Sequence, residues 1–113
     1  MPDDDRERTY REMTAQVPES PLPWFSLGRY YLEEGRFADA ADALGRCVEL
    51  QPDYAAALLS LGDAQAGAGR PAEARSAFER CQRAALSQNH PSLADEAAQR
   101  VRDLRKAAPQ GGG

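Results

Sequence analysis

The chain is poor in the residues that chemistry usually needs. It has one His, His90, which sits before Pro91 in a turn rather than beside a nucleophile. It has two cysteines and no Cys-x-x-Cys pair, which excludes a disulfide framework and a Cys/His zinc site. It has one Lys, Lys106, and its other cations are Arg residues interleaved with acids; the net charge is −4, so no basic footprint for nucleic acid is present. Its longest apolar run is Ala55 to Leu59, far short of a membrane span. The start, MPDDDRERTY, is acidic and polar, the opposite of a secretory signal, and the expected location is the cytoplasm. No cofactor is expected.

What the 113 residues do hold is a copy of themselves. Leu27, Gly28, Gly35, Arg36, Ala40 and Cys47 recur as Leu61, Gly62, Gly69, Arg70, Ala74 and Cys81, each 34 residues on. A fixed period of this size marks a stacked repeat whose units cannot bury their apolar faces alone. Apolar residues at helical spacing place helices over 22–34 and 37–50, and again over 54–67 and 71–87. Gly35 ends the first helix in the left-handed conformation that favours Gly, while Gly67 and Gly69 together predict a looser second turn. Pro52 opens the second unit and Pro71 suits a first helical turn. Gly28 sacrifices about 1 kcal/mol of helix propensity, which points to a close helix–helix approach.

Two further helices flank the pair. Residues 3–17 begin with Asp3, Asp4 and Asp5, which oppose the positive end of a helix dipole. Its stripe is Tyr10, Met13 and Val17. In the 34-residue register Tyr10 aligns with Leu44 and Phe78, and Met13 with Cys47 and Cys81, so this helix matches the second half of a repeat. A face left without a partner helix predicts self-association or docking there. Residues 91–107 form a capping helix, with Leu93, Ala94, Ala97, Ala98, Val101 and Leu104 inward and Glu96, Arg100, Asp103 and Lys106 wet. Its fit to the register improves with a two-residue insertion. The tail 109–113 has nothing to bury and is expected to be disordered.

The run Trp24, Leu27-Gly28, Tyr31, Gly35, Phe37, Ala40, Leu44, Cys47 and Pro52 resembles the tetratricopeptide repeat family. The second unit departs from it at Leu58, Gln65, Pro71 and Leu86. The resemblance implies an all-α, right-handed stack of antiparallel helix pairs, with an N-terminal half-repeat and a C-terminal capping helix. It implies one domain over 1–108, with repeats near 21–54 and 55–88. It also implies a non-enzymatic protein–protein interaction module that takes a peptide or partner helix on a concave face lined by the first helix of each unit. Some relatives grip a C-terminal carboxylate with Lys and Asn residues; Phe25, Arg29 and Ser60 stand at those places, so that clamp is not reproduced.

With Trp24, Leu27, Gly28 and Tyr31 turned inward, helical spacing sends Phe25, Arg29 and Leu32 to the groove. The same spacing sends Leu59, Asp63 and Ala66 there from the next unit, and Asp95, Gln99 and Arg102 complete the wall. Apolar anchors with opposite charges suit an amphipathic partner. The competing expectation is that Arg29 and Asp63 simply pair with each other. A second class of function is a structural scaffold or homo-oligomer in which the stack itself is the purpose. Cys47 and Cys81 read as packing residues: successive equivalent helices lie roughly 9–10 Å apart, beyond the roughly 7 Å that a disulfide spans between α-carbons. Gly67-Ala68-Gly69-Arg70 follows a helix and lacks the Gly-Lys-Ser/Thr of a phosphate loop. Neighbouring acids such as Glu33-Glu34 diverge by about 100° on a helix and do not converge on a substrate.

Overall fold

The structure, a computed structural model, describes residues 5–107. Six helices run in order: α1 (Asp5–Gln16), α2 (Pro21–Glu33), α3 (Phe37–Leu50), α4 (Ala55–Gly67), α5 (Pro71–Ser87) and α6 (Pro91–Ala107). Asp3, Asp4 and the expected tail 109–113 lie outside the described residues. The molecule is a slab of about 45 × 35 × 20 Å, an all-α stack of helix pairs.

Each helix packs chiefly on its chain neighbours. The pairs α2–α3 and α4–α5 share the most extensive contacts, and α3–α4 and α5–α6 join one pair to the next. The pairs are tight because Gly28 and Gly62 carry no side chain. A β-carbon on Gly28 would collide with Leu44, and one on Gly62 with the ring of Phe78. Leu44 and Phe78 are almost wholly buried, as are Ala40, Ala74, Cys47 and Cys81 at the other repeating positions. Small residues let the backbones approach, and the large ones fill the gap left by each Gly. Both cysteines are free, and burial pushes their thiols up to about 11.

The turns repeat as closely as the cores. Gly35 (φ 74°) and Gly69 (φ 79°) occupy the left-handed region, and each turn closes with the same pair of backbone bonds: Gly35 to Leu32 and Arg36 to Tyr31, Gly69 to Ala66 and Arg70 to Gln65. The second turn is therefore no looser than the first. Gly67 belongs to α4, where a β-carbon would strike Phe37 of α3; its role is a close approach between pairs. Asn89 (φ 63°) makes a third turn of this kind between α5 and α6, with bonds from Asn89 to Leu86 and His90 to Ala85. The α3–α4 join is different: there Tyr54 donates to Gln51. This longer route through α5 accounts for the two-residue shift of α6 against the repeat.

Gly45, in the middle of α3, has open space where a β-carbon would stand. Gly45→Ala is expected to stabilise the fold by about 1 kcal/mol through helix propensity alone. Urea unfolding checks it, with an unchanged denaturant slope.

In α1 the stripe of Tyr10, Met13 and Val17 stays partly open, as expected of a face without a partner helix. Thr14 is the buried residue, Tyr10 is half-buried, and Met13 and Val17 are 39% and 40% exposed. The face that meets α2 is Glu7, Tyr10, Arg11 and Thr14. Tyr30, to which the sequence reading gave no role, and Tyr31 are both 5% exposed and decide this rotation. The Tyr10 ring tilts on Tyr30 at 6.2 Å, and the Tyr31 hydroxyl donates to Glu7 at 3.0 Å. Thr14 satisfies its own hydroxyl by donating to the Arg11 carbonyl at 2.8 Å.

Candidate functional site

The first helices of the units converge, and the second helices do not. α2 meets α4 and α4 meets α6, while among the described residues the backbones of α1, α3 and α5 stay apart from one another. The stack therefore bends, with α2, α4 and α6 on its inner side.

On that side Phe25 is half-buried, its ring tilted against Tyr54 with centroids 5.0 Å apart. Leu32 and Leu59 are half-buried and rest on the core, and Ala66 is exposed. Arg29 is exposed, and its Nη1 donates to Ser60 Oγ at 3.3 Å across the α2–α4 seam. Asp63 does not pair with Arg29. It accepts from Arg100 Nε at 2.9 Å and Nη2 at 3.4 Å, and Arg100 Nη2 also reaches Glu96 at 3.4 Å. This carboxylate is thus already engaged within the chain, whereas the Arg29 guanidinium is held by one long hydroxyl bond and faces water.

The wall from α6 is also rearranged. Asp95, Gln99 and Arg102 are exposed, with Gln99 donating to Asp103 at 2.9 Å and Arg102 donating to Gln99 at 2.6 Å. The residue that reaches the neighbouring first helix is Arg100, expected on the wet side. It occupies the place of Ala64, which is fully buried, and a guanidinium cannot stay there. Its stem lies along the apolar seam and its head emerges beside Asp63. Sequence reasoning missed Arg100 and Tyr54 as members of this surface, and gave Ser60 only the place of an absent clamp residue. Asp63 and Arg100 lie 37 residues apart, one step beyond the shifted register, and that opposite-charge offset was the available signal.

Two concavities lie elsewhere. One of about 650 Å³ opens between α1, α2 and α3 over Trp24, Leu27 and Tyr31. One of about 550 Å³ lies beside Tyr54, His90 and Leu93 at the turns that join the units. The second is lined by Asp53, His90 and Ser92 as well, all three exposed to water. Among the described residues no group of three His, Cys, Asp or Glu side chains is arranged to hold a metal ion, and no helix is long and apolar enough to cross a membrane.

Comparison with known proteins agrees with this architecture. The tetratricopeptide repeat family matches residues 25–89, more than half of the chain. The TPR repeat-containing protein PA0015 of Pseudomonas aeruginosa is 43% identical over 68 residues, which is 60% of this chain and 65% of that protein, just under two thirds of its length. The solution structure of protein BPP2914 from Bordetella parapertussis superposes with a TM-score of 0.75 at 29% identity, covering 94% of this chain and 90% of that one. The crystal structure of MamA superposes with a TM-score of 0.64 at 18% identity, covering 88% and 67%, a likeness of fold alone. Repeats of this kind are generally interaction modules that bind protein partners or act as scaffolds. By its period, its packing and the matched residues, the chain belongs to the tetratricopeptide repeat family.

Proposed function

We propose that this chain is a non-catalytic adaptor, with residues 21–54 and 55–88 as its two repeats, which holds a peptide or a helix of another protein on its inner face. The observation that carries this reading is the surface made by Phe25 and Tyr54 beside Arg29. It is an aromatic pair left half-open, next to a cation that donates to a neutral hydroxyl rather than to a carboxylate. Leu32, Leu59 and Ala66 extend the apolar strip, and Asp63, braced by Arg100, marks its far edge. An occupant with apolar side chains on one face and an acidic group near one end fits this arrangement. Each apolar side chain fully desolvated contributes on the order of 1.5–3 kcal/mol. The charges set orientation and register rather than supplying most of the affinity.

Affinity capture from the source cell, comparing the wild type with Phe25→Ala plus Arg29→Glu, tests it. The expected result is loss of the captured partner from the double variant while its helical content is unchanged. If both proteins capture the same set, the inner face is not the binding surface.

A further inference from the structure

The bend that gathers the first helices on the inner side parts the second helices on the outer side. α1 and α3 stand away from each other there, and the cleft of about 650 Å³ between them has α2 as its floor. Trp24 and Leu27 lie on that floor, Ala15 and Pro18 on the α1 side, and Asp39 and Asp42 on the α3 wall. We infer that this cleft is a second docking site, separate from the inner face. Its occupant is an arginine side chain, set beside an apolar residue, on an exposed segment of a partner protein.

The balance of charge selects that occupant. Arg11 is the one cation that lines the cleft, and its Nη1 donates to Glu7 at 3.3 Å. Arg36 donates to Glu7 at 2.8 Å and to Asp39 at 3.0 Å. Both guanidinium groups are thus engaged within the chain. Among the described residues Asp42 has no hydrogen bond or ion pair, and it is exposed on the cleft wall. Arg46, one turn further along α3, is turned to Glu49 at 3.1 Å. Three carboxylates, of Glu7, Asp39 and Asp42, therefore meet the two guanidinium groups of Arg11 and Arg36. The unbalanced charge is that of Asp42, and it faces the cleft.

The floor suits the stem and the plane of an arginine. Trp24 is the one Trp of the chain, and its indole N–H donates to the Pro18 carbonyl at 2.9 Å, which fixes the ring. That ring is half-buried, whereas Leu58, at the same place in the next unit, is 0% exposed. Packing within a repeat is satisfied there by Leu, and the larger Trp24 leaves aromatic surface to the cleft. Ser76 stands at the place of Asp42 in the next unit, so the acid and the open ring occur together in the first unit alone. A guanidinium is planar, stacks on an indole face and is more weakly hydrated than an ammonium, which favours Arg over Lys. An exposed ion pair adds little affinity, so apolar contact supplies most of the binding and Asp42 the choice of charge. This inference does not depend on occupancy of the inner face.

The test is a titration of the 113-residue chain with the capped peptide acetyl-Ala-Leu-Arg-Leu-Ala-amide. The control peptide carries citrulline in place of Arg, which keeps the shape and loses the charge. Trp24 fluorescence reads the cleft directly, and amide chemical shifts locate the contact. The Arg peptide is expected to change the Trp24 signal saturably and to shift Ala15, Asp42 and Ala43 rather than Phe25, Arg29 and Leu59. Its binding is expected to weaken at high salt. The citrulline peptide is expected to bind about fivefold more weakly, and Asp42→Asn to weaken the Arg peptide by about the same factor while sparing the citrulline peptide. Trp24→Leu, which installs the residue used by the next unit, is expected to weaken both peptides, with circular dichroism to show that it stays folded. Phe25→Ala plus Arg29→Glu, which alters the inner face, is expected to leave both affinities unchanged, so the two docking sites stand or fall separately. Equal binding of the two peptides overturns the inference, as does an Asp42→Asn variant that binds like the wild type. So does a Trp24 signal that never saturates, or shifts that fall on the inner face.

Discussion

Phe78→Ala is expected to lower the stability of the fold by about 3–5 kcal/mol, a large share of the roughly 5–15 kcal/mol typical of a domain. Phe78 is 1% exposed, and its ring presses on the bare α-carbon of Gly62. Nothing else in α5 is large enough to fill that space: its other buried residues are Ala74, Ala77, Cys81 and Ala85. The sharper form of this prediction is a change of sign. In the wild type, Gly62→Ala gains about 1 kcal/mol of helix propensity. It loses more, about 1–3 kcal/mol, because the new methyl overpacks against a ring that cannot turn away. With Phe78→Ala already in place the collision is gone, the propensity gain remains, and the methyl occupies part of the cavity. Gly62→Ala should then stabilise. Urea unfolding of the four proteins gives the cycle directly. Equal destabilisation by Gly62→Ala in both backgrounds would show that the close approach does not hold the pair together.

Tyr31→Ala is expected to release α1 while leaving the far end of the stack folded. Among the described helices α1 touches only α2. Tyr31 is the centre of that contact, 5% exposed, with its hydroxyl on Glu7 at 3.0 Å and the Arg36 guanidinium 4.4 Å above its ring. Arg36 Nη1 also donates to Glu7 at 2.8 Å, and Arg11 Nη1 at 3.3 Å. Removing a buried aromatic costs about 3–5 kcal/mol, and stability in a stack is a sum of neighbour contacts. Hydrogen exchange is therefore expected to lose protection in α1 first and to keep it in α4–α6. Tyr31→Phe keeps the ring and loses one hydrogen bond, a cost of about 1 kcal/mol.

The same contact is expected to weaken in acid. The hydrogen bond from Arg36 holds the Glu7 carboxyl below the usual range, outweighing its partial burial. A depressed folded-state value means that Glu7 contributes stability above its unfolded value of about 4.3. That contribution is lost as pH falls through the lower folded value. Exchange in α1 should accelerate over that window, and Glu7→Gln should flatten the dependence. Loss of protection spread evenly over all six helices would contradict this account of α1 as a separately docked element.

Legibility in the sequence followed how local each cause is. The six helices, their ends within a few residues, and a close helix approach at Gly28 that recurs at Gly62 all follow from a helical period and a repeat of 34 residues. Those signals are carried by neighbours along the chain. The rotation of α1 is not local. Tyr10, Met13 and Val17 make an apolar stripe on a helix wheel, but the Tyr31 hydroxyl and the Arg36 guanidinium draw Glu7 to α2, and Thr14 follows it into the seam. Asp63 shows the same limit. Arg29, one repeat away and at the same place, is the partner that the repeat offers, yet Arg100 reaches Asp63 because a long side chain cannot remain where the repeat calls for Ala64.

Read alone, the amino-acid order determined that this protein is a pile of antiparallel helix pairs. A motif copied at constant spacing must bury equivalent residues in equivalent places, and only Gly and Ala allow the backbones so near. The tertiary structure decided which charges are spent inside the stack and which face outward, leaving Arg29 to water and tying Asp63 and Glu7 to guanidinium groups. Ion pairs between separate helices depend on side-chain reach and helix rotation, and a one-dimensional pattern specifies neither.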